Sequence, residues 1–158
     1  MVPVPRSTLL GVGLRESDPY SRDVRLRANE RLGDRFIGIG ITPFAGLPKL
    51  LAATDIVAIP QRAGPAALGQ VPAKLFDAMA MQRPIVASRV KTIEDVVGDT
   101  AWLVEPSSPA AIAGAISDIV SRPEEALRRA QGGRERFLAR YSFSAARATL
   151  ASVFARYE

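Results

Sequence analysis

The residues with the clearest chemical use lie between Gly69 and Asp77, in the stretch GQVPAKLFD. A helix start leaves its first N–H groups unpaired and carries the positive end of the helix dipole, and a glycine loop before it lets backbone approach a diphosphate. Gly69, Gln70 and Val71 stand at such a place. Lys74, in the first turn, adds a full positive charge. Asp77 lies three residues further along the same helix face, where a carboxylate can accept hydrogen bonds from two ribose hydroxyls. The pattern fits a nucleoside diphosphate. It is also what an ordinary exposed Lys–Asp pair on a helix looks like, an interaction worth well under about 1 kcal/mol.

Other chemistries have less to stand on. The chain has no cysteine and no histidine, so thiol nucleophiles, imidazole bases and Cys or His metal sites are out of reach. We expect no metal site and no cofactor. Gly11-Val12-Gly13 follows an apolar run and could open a dinucleotide fingerprint, but the third glycine would fall at Glu16. Arg15 and Arg62 sit in loops where either phosphate or solvent can claim them. Asp55 precedes the run IVAIP and is assigned a structural role at a turn.

A net charge of +5 favours anionic partners. The basic residues, arginine at all but Lys49, Lys74 and Lys91, mostly alternate with acids, as around Glu135. No aromatics interleave with them as a base-stacking platform requires, so no nucleic-acid partner is expected.

The elements that must hold these residues follow from the apolar pattern. Runs at 7–12, 35–41, 56–60 (IVAIP), 84–88 (PIVAS) and 101–104 (AWLV) read as strands. Between them lie helical segments at 18–32, 47–53, 72–82 and 93–97. From Pro109 onward the chain reads as helical. Ile112, Ile116, Ile119 and Val120 line one face; Phe143, Ala146, Leu150, Val153, Phe154 and Tyr157 line another, and both stripes are expected in the core. Strands alternating with helices predict a Rossmann-like α/β domain, a parallel sheet with helices on both faces, and no linker divides residues 1–158. Such a sheet binds ligands at its strands' carboxyl ends, here the segments 11–17, 61–71 and 88–92. No apolar run approaches the roughly 20 residues that cross a bilayer, and the expectation is a cytoplasmic protein.

The stretch Leu47 to Val90, LPKLLAATDIVAIPQRAGPAALGQVPAKLFDAMAMQRPIVASRV, resembles the C-terminal domain of family-4, retaining GT-B glycosyltransferases. In that family a segment like "lp-lla-aDi-v-P" leads through a glycine loop into a helix like "P-K-fEAMA-G-P-V-as". Leu47-Pro48, Asp55, Pro60, the helix VPAKLFDAMAMQ, PIVAS and the later WLVEP supply those features here. The resemblance implies the donor-binding half of an enzyme that transfers a sugar from a nucleotide-diphosphate sugar, with retention and without an obligatory metal. It implies a ribose contact for Asp77, the second of two family Glu positions separated by seven residues. The first falls on Gly69, which leaves only leaving-group binding to this chain and its catalytic residues unknown.

The resemblance further implies an N-terminally truncated domain: its first strand and helix and the whole acceptor domain are not in these 158 residues. From that follow a chain inactive alone, a missing acceptor domain or partner chain to complete it, self-association through uncovered apolar surface, and polysaccharide biosynthesis peripheral to the membrane for the full-length enzyme. The alternatives are a non-catalytic Rossmann-like pairing module, for which the apolar loop PAALGQV speaks, and part of a GT-B sugar-nucleotide epimerase.

Overall fold

The computed structural model describes residues 7–62, 64 and 69–156. Its contacts gather into two compact units that divide between Leu50 and Leu51.

In the first unit β1 (Leu9–Val12) pairs in parallel with β2 (Phe36–Ile39), Leu9 opposite Phe36 and Val12 opposite Ile39. Parallel neighbours need a crossover, and α1 (Pro19–Leu32) supplies it. Asp18 starts that helix by accepting hydrogen bonds from the Ser21 N–H at 2.9 Å and the Ser21 hydroxyl at 2.7 Å, with Pro19 at the first helical position. Arg25 then ties α1 to the sheet, donating to the carbonyls of Gly38 at 3.1 Å and Leu14 at 3.3 Å. A Cβ on Gly38 would come within 2.7 Å of the guanidinium, so a side chain there would have to displace the end of Arg25. The short α2 (Leu47–Ala52) leads from this unit into the next.

The second unit is built on three parallel strands in the order β3 (Val57–Ile59), β4 (Ile85–Ser88), β5 (Trp102–Val104). All four residues of β4 are buried, as expected of a central strand covered on both faces. Ile85 and Ala87 pack into one core cluster with Ile59 of β3 and with Leu75, Met79, Ile93 and Val97, supplied by α3 (Ala73–Ala80) and α4 (Lys91–Val97). Val86, pointing the other way, joins Trp102, Val104, Ala115 and Ile119, the last two from α5 (Pro109–Ser121). Strand alternation thus places helices on both faces. In α6 (Pro123–Arg140), Ala126 enters the second cluster while Phe137 packs against the first; just beyond the helix the Tyr141 ring meets Phe76 at 5.1 Å.

β5 has one free edge, and two arginines close it. Arg89 donates to the Leu103 carbonyl at 3.2 Å and Arg129 to the Ala101 carbonyl at 3.1 Å, while the Arg129 guanidinium lies 4.4 Å from the centre of the Trp102 ring. Charged side chains on outward carbonyls are a common protection against edge-to-edge pairing.

The C-terminal region upholds one expectation and corrects another. The chain is helical after Pro109, as expected, and the helices number three: Pro123 starts α6 afresh and Ser142 caps α7 (Phe143–Phe154), its hydroxyl accepting from the Ala145 N–H at 3.2 Å. The stripe expected in the core on α7 is on the surface: Phe143 is 86% exposed, Leu150 57% and Phe154 67%, and Val153 and Ala146 are exposed too. Helical spacing establishes an apolar face but not what covers it. Tyr157, assigned to the same stripe, lies outside the described residues. The first stripe fares better: Ile119 is buried and Ile112 and Ile116 half-buried against the second cluster, whereas Val120 is 48% exposed.

Candidate functional site

A hydroxyl group ties the carboxyl end of β4 to the residue that follows β3 by two. Ser88, the last residue of β4 and buried, accepts at Oγ from the Gln61 N–H at 2.8 Å and donates to the Gln61 carbonyl at 3.0 Å. Thr92, four residues on, donates through Oγ1 to the Gln70 carbonyl at 3.1 Å. The loop that opens at Gln61 and closes at Val71 is therefore anchored at both ends to the tip of β4 and the start of α4.

That loop delivers the chain to the start of α3. Pro72 occupies the N-cap with extended backbone and no side-chain hydrogen bond, so α3 begins at Ala73, one residue later than its proline suggests. The Leu75 N–H turns back to the Pro72 carbonyl at 2.9 Å, and the start of the helix is left without a side-chain cap. Gly69 and Gln70 before it are exposed. A Cβ at Gly69 would meet nothing within 4 Å and its φ is not in the left-handed region, so nothing in the surrounding protein demands glycine there. Val71 is half-buried with its side chain against the core, which leaves its backbone as its contribution to a ligand.

Lys74 is exposed on the first turn. Asp77 is half-buried, and burial raises its carboxyl above the usual carboxylate range. Among the described residues no ion pair joins Lys74 to Asp77, and no side chain donates to the Asp77 carboxylate. A part-desolvated carboxylate and a free ammonium on one helix, next to an uncapped N-terminus, can receive hydroxyls and an anion respectively.

The five residues singled out from the sequence thus belong to one unit and one loop–helix junction. Arg62 is exposed in the loop; Arg15 is exposed in the first unit, after a turn where Gly13, with φ +84°, donates to the Gly40 carbonyl at 3.2 Å. Gln61, Ser88 and Thr92 fall inside the segments 61–71 and 88–92 that the sequence marks for ligand binding, but the sequence assigns none of the three a role. The available signal is a hydroxyl closing an otherwise apolar strand, PIVAS. Two clefts lie elsewhere, one of about 490 Å³ beside β5 lined by Arg89, Trp102 and Arg129, and one of about 570 Å³ below the amino ends of the strands lined by Ile56, Pro84 and Leu127. None of Gly69, Gln70, Val71, Lys74 or Asp77 lines either.

Residues 4–122 match the family model described as glycosyl transferases group 1. The fold is similar to that of sucrose-phosphate synthase from Thermosynechococcus elongatus, with a TM-score of 0.80 and 25% identity over 95% of this chain and 38% of that one. It is likewise similar to Anabaena HepE in complex with UDP-glucose, with a TM-score of 0.82 and 19% identity over 96% of this chain and 42% of that one. A C-terminal domain of a group 1 family protein, LpcC from Francisella tularensis, matches with a TM-score of 0.64 and 22% identity, over 78% of this chain and 63% of that one. No curated protein matches. The architecture is that of the C-terminal half of a GT-B fold, and the chain spans about two fifths of the length of the first two structures.

Proposed function

The chain belongs to the group 1 glycosyl transferases, and from that premise we propose that it is the donor-binding half of a retaining enzyme, holding a nucleotide-diphosphate sugar at the start of α3. The observation that carries this is the junction itself: an uncapped helix N-terminus, behind a loop pinned by Ser88 and Thr92, with Asp77 half-buried and unpaired one turn on. The likeness to HepE, a protein whose structure is a complex with UDP-glucose, supports a ligand of this class.

In this reading the backbone of Gly69, Gln70 and Val71 approaches the diphosphate, Lys74 adds a cation, and Asp77 accepts from ribose. Fixed N–H groups and the helix dipole stabilise the departing diphosphate without reorganising, which is the largest catalytic effect such a half-site can supply. Gly69 has no side chain to offer near the sugar. Turnover then needs an acceptor domain or partner chain, and the chain by itself binds donor but transfers nothing. The same reading makes the full enzyme a cytoplasmic one of polysaccharide biosynthesis, peripheral to the membrane; no described helix is long and apolar enough to cross one.

Calorimetry with UDP, GDP, ADP and UDP-glucose tests the site. We expect saturable binding of at least one, weakened about tenfold or more by Asp77→Ala and by Lys74→Ala, since hydrogen bonds to charged groups are each worth about 1.5–3 kcal/mol. Binding indifferent to both substitutions would remove these side chains from the site, and the absence of any binding would remove the site.

A further inference from the structure

Between Glu135 and Glu158 the chain carries no acidic residue, while Arg136, Arg140, Arg147 and Arg156 all fall there. Arg136 donates to the Asp95 and Val96 carbonyls. Arg140, Arg147 and Arg156 are exposed, and among the described residues their side chains enter no hydrogen bond and no ion pair.

α7 sets apolar groups beside these charges. Phe143, Arg147, Leu150 and Phe154 follow one another at spacings of four, three and four, so they form one stripe along a helix roughly 18 Å long. Its three apolar members are all exposed. From Ala146 to Arg156 every residue is exposed, so most of α7 can lie on a surface without unpacking the core. An apolar helix face with aromatic rings, free arginines and no acid suits the headgroup layer of a bilayer: the rings reach the acyl boundary and the guanidinium groups extend to phosphate.

We propose that α7 is a membrane-surface helix, its Phe143–Phe154 stripe docking on anionic lipid. This deepens the membrane-peripheral part of the function proposed above and makes no use of the donor site. A second copy is the poorer cover, since a symmetric contact through this stripe brings two Arg147 side chains together with no acid on either helix to separate them. Anionic headgroups neutralise the same charge.

Sedimentation with vesicles tests the docking. The chain should pellet with vesicles of phosphatidylcholine and phosphatidylglycerol in equal parts, not with phosphatidylcholine alone, and less as salt is raised. Phe143→Ser with Phe154→Ser should weaken binding about tenfold or more, and Arg147→Gln roughly fivefold. Arg31→Gln makes the same change of charge at an exposed position of α1 and should leave binding nearly unchanged. Every substituted side chain is exposed, so thermal midpoints should hold. Equal losses for Arg147→Gln and Arg31→Gln, or full binding by the double serine variant, would mean adsorption by net charge and overturn the role of α7. An unaltered chain that stays out of the pellet overturns the proposal whether it is monomeric or covered by a second copy, and calorimetry with UDP-glucose still decides the donor site separately.

Discussion

Asp77 meets two opposed demands. Burial disfavours its ionised form, so its folded pKa stands above the unfolded value of 3.8 and the folded state takes up a proton the more readily. Its contribution to stability is therefore unfavourable at neutral pH, is relieved as pH falls through the folded value, and is fully relieved below the unfolded one. A ribose contact needs the ionised carboxylate, so nucleotide affinity should move the other way. Carried from about pH 7 to about pH 4, the chain should gain stability and lose affinity relative to Asp77→Asn, while at neutral pH the Asn variant is the more stable of the two. The comparison with Asn matters because Asp18 and Glu125, held below the usual range chiefly by hydrogen bonds from Ser21 and Arg129, lose stability on acidification in both proteins. Thermal midpoints and titration calorimetry across that range check it, and a difference that does not vary with pH counts against it. Gly69 supplies a second residue-scale test. With open space around its Cβ position and no left-handed φ, Gly69→Ala should leave stability level or raise it by about 0.4–1 kcal/mol. If backbone at this point approaches a diphosphate, the same methyl group must weaken nucleotide binding; unchanged affinity would place the phosphates elsewhere.

At the scale of elements, α3 ends in a motif made for glycine but carrying glutamine. The Gln82 N–H donates to the Met79 carbonyl and the Arg83 N–H to the Ala78 carbonyl, both at 3.0 Å, with Gln82 at φ +53°. This is the Schellman arrangement, and the left-handed residue in it costs a non-glycine roughly 1–2 kcal/mol. Glycine loses more chain entropy on folding, about 0.5–1 kcal/mol, so Gln82→Gly should stabilise by a net of about 0.5–1 kcal/mol. A denaturant titration showing a higher midpoint at constant slope is the expected result; a lower midpoint would mean that the Gln82 side chain makes a contact worth more than its strain. The α3 helix and its flanking strands are legible in the sequence because IVAIP and PIVAS are apolar on both faces, which only a covered parallel strand requires. The helix start is legible only to within a residue, since the proline at position 72 can stand at the cap as readily as inside the helix. The clasps that hold the site are not legible: Ser88 reaches a residue 27 positions away and Thr92 one 22 positions away, and no local pattern announces such pairs. For α7 the spacing establishes an amphipathic helix, but Phe143 and Phe154 are exposed because burial is decided by what lies opposite.

For the whole molecule, the exposed face of α7 and the share of its relatives' length that the chain spans point the same way. Phe143, Leu150 and Phe154 are large apolar groups on one side of a helix, and contiguous surface of this kind ordinarily marks a contact. The chain alone should therefore self-associate as its concentration rises, and Phe143→Ser with Phe154→Ser should suppress this in sedimentation velocity runs; a monomer at all concentrations would be the contrary result. Sugar transfer asks for more than a contact surface. Two reactants must be held in register, and positioning of that kind supplies roughly 7–11 kcal/mol of a catalysed barrier. This chain covers about two fifths of the first two matched structures, and every residue proposed for its site is proposed as a contact to the departing nucleotide. It should bind donor and forfeit nearly all acceleration of transfer. Incubation with labelled nucleotide sugars and a panel of lipid-linked and sugar acceptors checks this directly. No transferred label is expected, while robust transfer that disappears in Asp77→Ala would show that these 158 residues hold acceptor as well as donor and that the half-site account is wrong.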